Sequence, residues 1–220
     1  MTTATTTATL TRLRLNPQHR DTIGDLANAH RMHRRLMTMF DTSLGDTPRA
    51  TVGMLYRVER HGHDVTVLAQ STAEPRTTAL PTDYATVDST PLGPLLSLLD
   101  RHVPVRYRID ANPIAIKTTE GHKARRWLHD DEAVQWWGRR ATDAGLDLVS
   151  CTLTQETLSY AVRDDTRSKR GVRVPHGISR FEGTAVVNDP VALHDAVLTG
   201  IGHARAYGCG LLSLAPATER

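Results

Sequence analysis

Cysteine is nearly absent from this chain. Cys151 and Cys209 stand far apart and in no metal-binding spacing, which argues against a disulfide framework or a zinc ribbon and for a reduced, intracellular protein. Long apolar runs are missing too: no stretch approaches the ~20 residues that span a bilayer. The opening MTTATTTATL lacks the charged and apolar segments of a signal peptide. A cytoplasmic chain without membrane contact is expected. Aromatic residues make up 5%, and no aromatic run lies on the strands read below, so a reader that stacks single-stranded bases on its sheet is disfavoured.

What is present suits a globular protein with an acidic partner. Hydrophobic residues reach 39% and charged residues 23% of 220 positions, with a net charge of +3 and a pI near 9.1. Arginine supplies most of the cations, and its planar fork suits phosphate. A basic, aromatic-poor surface fits a base-paired stem read by shape and phosphates.

The periodicity divides the chain in two, residues 1–100 and 103–220. Arg12 to Leu15 alternate as a half-buried strand, and Ala29, Met32, Leu36, Met39 and Phe40 form one stripe of a helix over 25–40. Residues 50–59 and 64–71 read as a strand pair, and the chain after Pro75 reads as irregular, with a short helix at 95–99. In the second half, Val105, Tyr107 and Ile109 alternate with charged residues, 131–143 reads as a helix, 146–163 and 172–187 as β-rich segments. Asp189-Pro190 caps a further helix, and LLSLA forms a last strand. The order β-α-β-β-α-β predicts an α+β fold of two tandem ferredoxin-like domains, the first partly degenerate.

Three features carry candidate chemistry. His30 and His33 are neighbours on one helix surface, beside Arg34 and Arg35. Such a pair can take a proton from a ribose 2′-OH and give one to a leaving 5′-oxygen, with arginine balancing the phosphorane charge; the same spacing also suits ordinary surface histidines. No cysteine or carboxylate cluster completes a metal set around them. Arg163, Arg167, Lys169, Arg170 and Arg173, with His176 and Arg180 beyond, crowd a connection between two strands. That is either a finger tracking phosphates or a solvated tip. Finally, Gly202, Gly208 and Gly210 with Arg205 fall in a loop that leads into the last strand, an arrangement whose N–H groups can face an anion. Asp130, Asp131 and Glu132 stand where a helix N-terminus favours negative charge, and Trp136 and Trp137 read as core.

The string GIGHARAYGCGLLSLAP resembles the C-terminal glycine-rich loop of CRISPR RNA endoribonucleases of the CasE type. The resemblance continues through Asp25-Leu26-Ala27-Asn28, His30-Arg31-Met32-His33-Arg34, the strand Arg106-Tyr107-Arg108-Ile109-Asp110-Ala111-Asn112-Pro113, Phe181-Glu182-Gly183 and Asn188-Asp189-Pro190. It implies a metal-independent, cofactor-free cut of CRISPR precursor RNA at the base of the repeat stem-loop, leaving a 2′,3′-cyclic phosphate and a 5′-OH. It further implies retention of the mature crRNA and assembly with Cascade protein subunits. His33 matches the family's histidine. His30 stands where the family has tyrosine, which implies either a two-histidine site or His33 acting with another partner; the alternative function is a non-cleaving subunit that holds guide RNA.

Overall fold

The computed structural model describes residues 8–40, 48–119, 122–163 and 172–217. They form two compact units. The first comprises the described residues between Met1 and Ser97 together with those of 160–174 and Ala206–Gly208, and the rest form the second.

The first unit is built on β1 (Thr9–Leu15). Its alternation puts Thr11, Leu13 and Leu15 inside and leaves Arg12 and Arg14 exposed. A helical segment follows in two pieces, α1 (Thr22–Ala27) and α2 (Ala29–Met37), and the chain continues through α3 (Pro48–Thr51), β2 (Leu55–His61) and β3 (Asp64–Ser71). Then come a 3-10 turn at Thr77–Ala79, β4 (Ala85–Pro91) and α4 (Gly93–Leu96). The strands are antiparallel in the order β2-β3-β1-β4. This is the ferredoxin-like order, with a single 3-10 turn where the second helix would stand. Met32 and Leu36 of α2, with Met39 and Phe40 after it, pack on Leu13, Val67 and Tyr56. Truncating a fully buried leucine such as Leu36 costs about 2–5 kcal/mol, so this face fixes where α2 lies.

The second unit repeats the scheme. It runs through β5 (Pro104–Ala111), β6 (Ile114–Thr119), β7 (His122–Trp127), α5 (Asp130–Asp143), β8 (Leu146–Leu148), β9 (Thr152–Arg163), β10 (Val172–Val187), α6 (Pro190–Thr199) and β11 (Leu212–Pro216), the 160–163 end of β9 and the 172–174 start of β10 being counted with the first unit. The sheet order is β11-β5-β10-β8, with β9 paired to β10. Trp137 of α5 lies in its core, stacked on Phe181 and tilted against Tyr107. Asp189 caps α6 by accepting from the N–H groups of Val191 and Ala192.

Several boundaries differ from the sequence reading. The helix expected over 25–40 breaks at Asn28, whose backbone is extended at φ −139° and ψ 105°. Residues 50–54 are not strand, because Pro48 opens the short α3 and β2 starts at Leu55. The chain after Pro75 contains β4, an exposed edge strand whose few apolar residues give little signal, and the short helix lies at Gly93–Leu96. The β6–β7 hairpin was not expected at all. Among the described residues, no helix is long and apolar enough to cross a membrane.

Candidate functional site

The break at Asn28 builds the site. A helix start leaves N–H groups without carbonyl partners, and Asn28 meets one with its side chain: Oδ1 accepts from the His30 N–H at 3.0 Å. The Tyr56 hydroxyl donates to the carbonyl of Ala29 at 3.1 Å, holding the same first turn against β2. His30 and His33 therefore project from a helix fixed at its start by a cap and along its length by its apolar face.

Beside His30 opens a cleft of about 380 Å³, lined by Asn28, His30, Arg31, Arg34, Thr38 and Val162, with Asp25 and Arg35 completing the wall; His33 is not among its lining residues. The cations differ in their work. Arg35 donates from Nε to Asp25 at 2.8 Å and from a terminal nitrogen to Asp21 at 2.7 Å, and its guanidinium lies over the Tyr84 ring. Arg31 reaches the other Asp25 oxygen at 3.3 Å and stays half exposed. Gly24 clears space for it, since a Cβ there would stand 2.9 Å from the guanidinium carbon. Tyr84 donates to Asp25 at 3.1 Å. Burial and the Asp25 charge push its phenol up, so it remains a donor. Of the two arginines expected at phosphate, the structure thus places Arg34 on the exposed side of the cleft and Arg35 in an ion-pair network beneath it.

His33 is the more enclosed histidine. Its Nδ1 is buried and meets no hydrogen-bond partner among the described residues. Burial first, then the charges of His30 and Arg49, lower its pKa to about 4. The imidazole is therefore neutral at physiological pH, a form that accepts a proton. Arg49, on α3, also donates to the Met54 carbonyl at 3.1 Å. Sequence reasoning missed Arg49, because nothing in the pattern brings α3 to α2. It missed Arg31 and Asn28 as well, although Asn is a favoured cap and Arg31 falls one turn before Arg34 and Arg35. Among the described residues no three His, Cys, Asp or Glu side chains gather as a metal set.

The remaining expectations are placed as follows. Arg167, Lys169 and Arg170 lie outside the described residues, as do the side chains of Arg163 and Arg173. Arg180 forms a two-pronged ion pair with Asp110, at 2.6 and 2.8 Å, so its fork is engaged within the sheet. Asn112 donates to the Gly177 carbonyl at 2.6 Å. Glu132 takes both prongs of Arg126.

In the glycine loop, two of the groups expected to face an anion are held by the chain. The Gly210 N–H donates to the Asp110 carbonyl at 2.7 Å, and at φ +88° a Cβ would stand 2.8 Å from the Ile201 carbonyl. Arg205 donates to the Thr199 carbonyl at 2.8 Å, capping the end of α6. Gly202 lies against Trp136 and Gly208 against Tyr56. The Gly210 N–H and the Arg205 guanidinium are thus engaged by the chain itself, where the loop closes between α6 and β11.

The family model for CRISPR associated protein matches residues 10–216. CRISPR-associated endoribonuclease Cse3 of Thermus thermophilus is 31% identical over 216 residues, covering 94% of this chain and 99% of the relative. CRISPR system Cascade subunit CasE of Escherichia coli is 28% identical over 201 residues, covering 85% and 92%. A structure of CRISPR endoribonuclease Cse3 bound to a 19-nucleotide RNA aligns with TM-score 0.82 and 30% identity, covering 96% of this chain and 100% of that one. With matches of this extent and a doubled ferredoxin-like fold, the chain belongs to the CRISPR-associated protein family of Cse3 and CasE.

Proposed function

We propose that this chain is an endoribonuclease that cuts CRISPR precursor RNA at the base of the repeat stem-loop, without a metal ion, and keeps the product for assembly into Cascade. The carrying observation is the pair His30 and His33 on the first turns of α2, with His30 lining a cleft that also bears Arg31 and Arg34. Neutral His33 takes the proton of the ribose 2′-OH, and the oxygen attacks the adjacent phosphorus. The bond to the 5′-oxygen breaks as that oxygen takes a proton from protonated His30. The products are a 2′,3′-cyclic phosphate and a 5′-OH. Arg34 and Arg31 oppose the extra charge of the phosphorane. The β9–β10 hairpin, with Arg163, Arg167, Lys169, Arg170 and Arg173, grips the stem.

Relatives support the substrate and partners: Cse3 has been solved on RNA representing a pre-cleavage complex, and a CRISPR RNA-guided surveillance complex contains a chain 35% identical to this one. The test is cleavage of the organism's own repeat hairpin in EDTA at saturating protein, with wild type and His33→Ala. Cutting by wild type alone, with RNA bound by both, supports the reading. Binding by both with cutting by neither makes the chain a guide-holding subunit.

A further inference from the structure

Asn28 makes one connection that the cap does not explain. Besides accepting from the His30 N–H, its Oδ1 accepts from the Val162 N–H at 3.0 Å, and its Nδ2 donates to the Val162 carbonyl at 3.4 Å. A primary amide carries a donor and an acceptor side by side, so Asn28 pairs with Val162 as a neighbouring strand would. Val162 precedes Arg163 at the described end of β9, 134 positions away in sequence. One side chain thus holds both the start of the histidine helix and the strand that leads into the basic connection.

We infer that Asn28 is a positioning residue that transmits the seating of RNA on the β9–β10 hairpin to His30. This rests on the nuclease reading above. With β9 shifted, the shared Oδ1 cannot keep both N–H groups in line, so the first turn of α2 and the imidazole on it follow the strand. Displacement of a reacting group by about 1 Å costs up to about a hundredfold in rate.

Asn28→Ser separates the two duties, because serine caps a helix as well as asparagine but is too short to span to Val162. Three measurements use the full chain: melting temperature, affinity for a repeat stem-loop with a 2′-deoxyribose at the cut, and single-turnover cleavage of the all-ribose RNA. Amide exchange over 29–33 is followed with and without the deoxy RNA. The expected result is cutting at least tenfold slower, with affinity within about threefold and the melting temperature kept. RNA-induced protection of 29–33 is expected in wild type and lost in the variant. Wild-type cutting by Asn28→Ser overturns the inference and leaves the nuclease reading standing; so does a loss of affinity as large as the loss of cutting. If wild type itself does not cut, the nuclease reading fails, and the exchange result alone decides: protection that depends on Asn28 upholds the tie, and its absence overturns it. Should Asn28→Ser fail to fold, Asn28→Gly takes its place, since glycine is also favoured at a helix start and has no side chain to reach Val162. Cutting at the wild-type rate by that variant overturns the inference, and slower cutting at kept affinity upholds it.

Discussion

Gly208 lies against the ring of Tyr56, where a Cβ would stand 3.3 Å from Cε2, and its φ of +88° is one that other residues avoid. The Tyr56 hydroxyl in turn holds the Ala29 carbonyl at the start of α2. The glycine of the C-terminal loop therefore supports the histidine helix through an aromatic ring. Gly208→Ala is expected to lower stability by about 1–2 kcal/mol from the left-handed backbone alone, read as a lower urea midpoint with unchanged slope. Tyr56→Phe keeps the ring and removes only the hydroxyl bond, worth about 1 kcal/mol. Wild-type stability in Gly208→Ala would show that the ring and loop adjust at no cost.

The low pKa of His33 makes stability depend on pH with a definite sign. The unfolded chain takes up this proton near the ordinary imidazole value of 6.5, whereas the folded chain holds it off until about 4. Stability is therefore intact above 6.5 and declines as pH falls toward 4. His33→Gln removes that contribution, so urea unfolding between about pH 7 and about pH 4.5 should show a shallower decline for the variant. A titration midpoint near 6.5 for the His33 imidazole in the free protein would remove its assignment as the neutral base.

The two cysteines should separate cleanly by reactivity. Cys209 is fully buried, and its burial and the nearby Asp110 push the thiol up, away from the reactive thiolate. Cys151 is partly exposed. An alkylating reagent at neutral pH should label Cys151 in the native protein and Cys209 only after denaturation. Equal native labelling of both would mean that the closed loop between α6 and β11 opens readily in solution.

The parts of the fold legible in the sequence are those whose burial follows a clean period. β1 shows its alternation in Arg12-Leu13-Arg14-Leu15, α6 shows its start in Asp189-Pro190, and α2 shows its stripe in Met32 and Leu36. β4 was not legible because it is an exposed edge, where Asp88 serves Arg12 and Arg14 rather than a core. The break at Asn28 was hidden because Ala27 and Ala29 favour helix on both sides, and the partner that fixes the extended backbone lies 134 residues away. The histidines were legible as a pair on one face. Their difference was not, since one of the charges acting on His33 is Arg49 on α3, which no local pattern brings to α2.

Arg34 and Arg35 are adjacent in sequence and should fail in different ways. Arg35 bridges Asp21 and Asp25, and the Asp25 side chain is only 3% exposed. Arg35→Ala therefore leaves a buried carboxylate short of its strongest partner, at a cost of about 2–3 kcal/mol for a charge-assisted bond of this kind. Its main effect should be a lower urea midpoint. Arg34 is exposed at the cleft, so Arg34→Ala should leave stability within about 0.5 kcal/mol. If Arg34 meets a phosphate as proposed, the variant should instead weaken RNA binding and reduce the salt dependence of affinity by about one counterion. Arg35→Lys sharpens the contrast: lysine keeps the charge but lacks the fork that reaches two carboxylates at once. That variant should remain as unstable as Arg35→Ala, whereas Arg34→Lys should recover most of the salt slope. If both lysine variants behave alike in both measurements, the division between a buried brace and a phosphate contact is wrong.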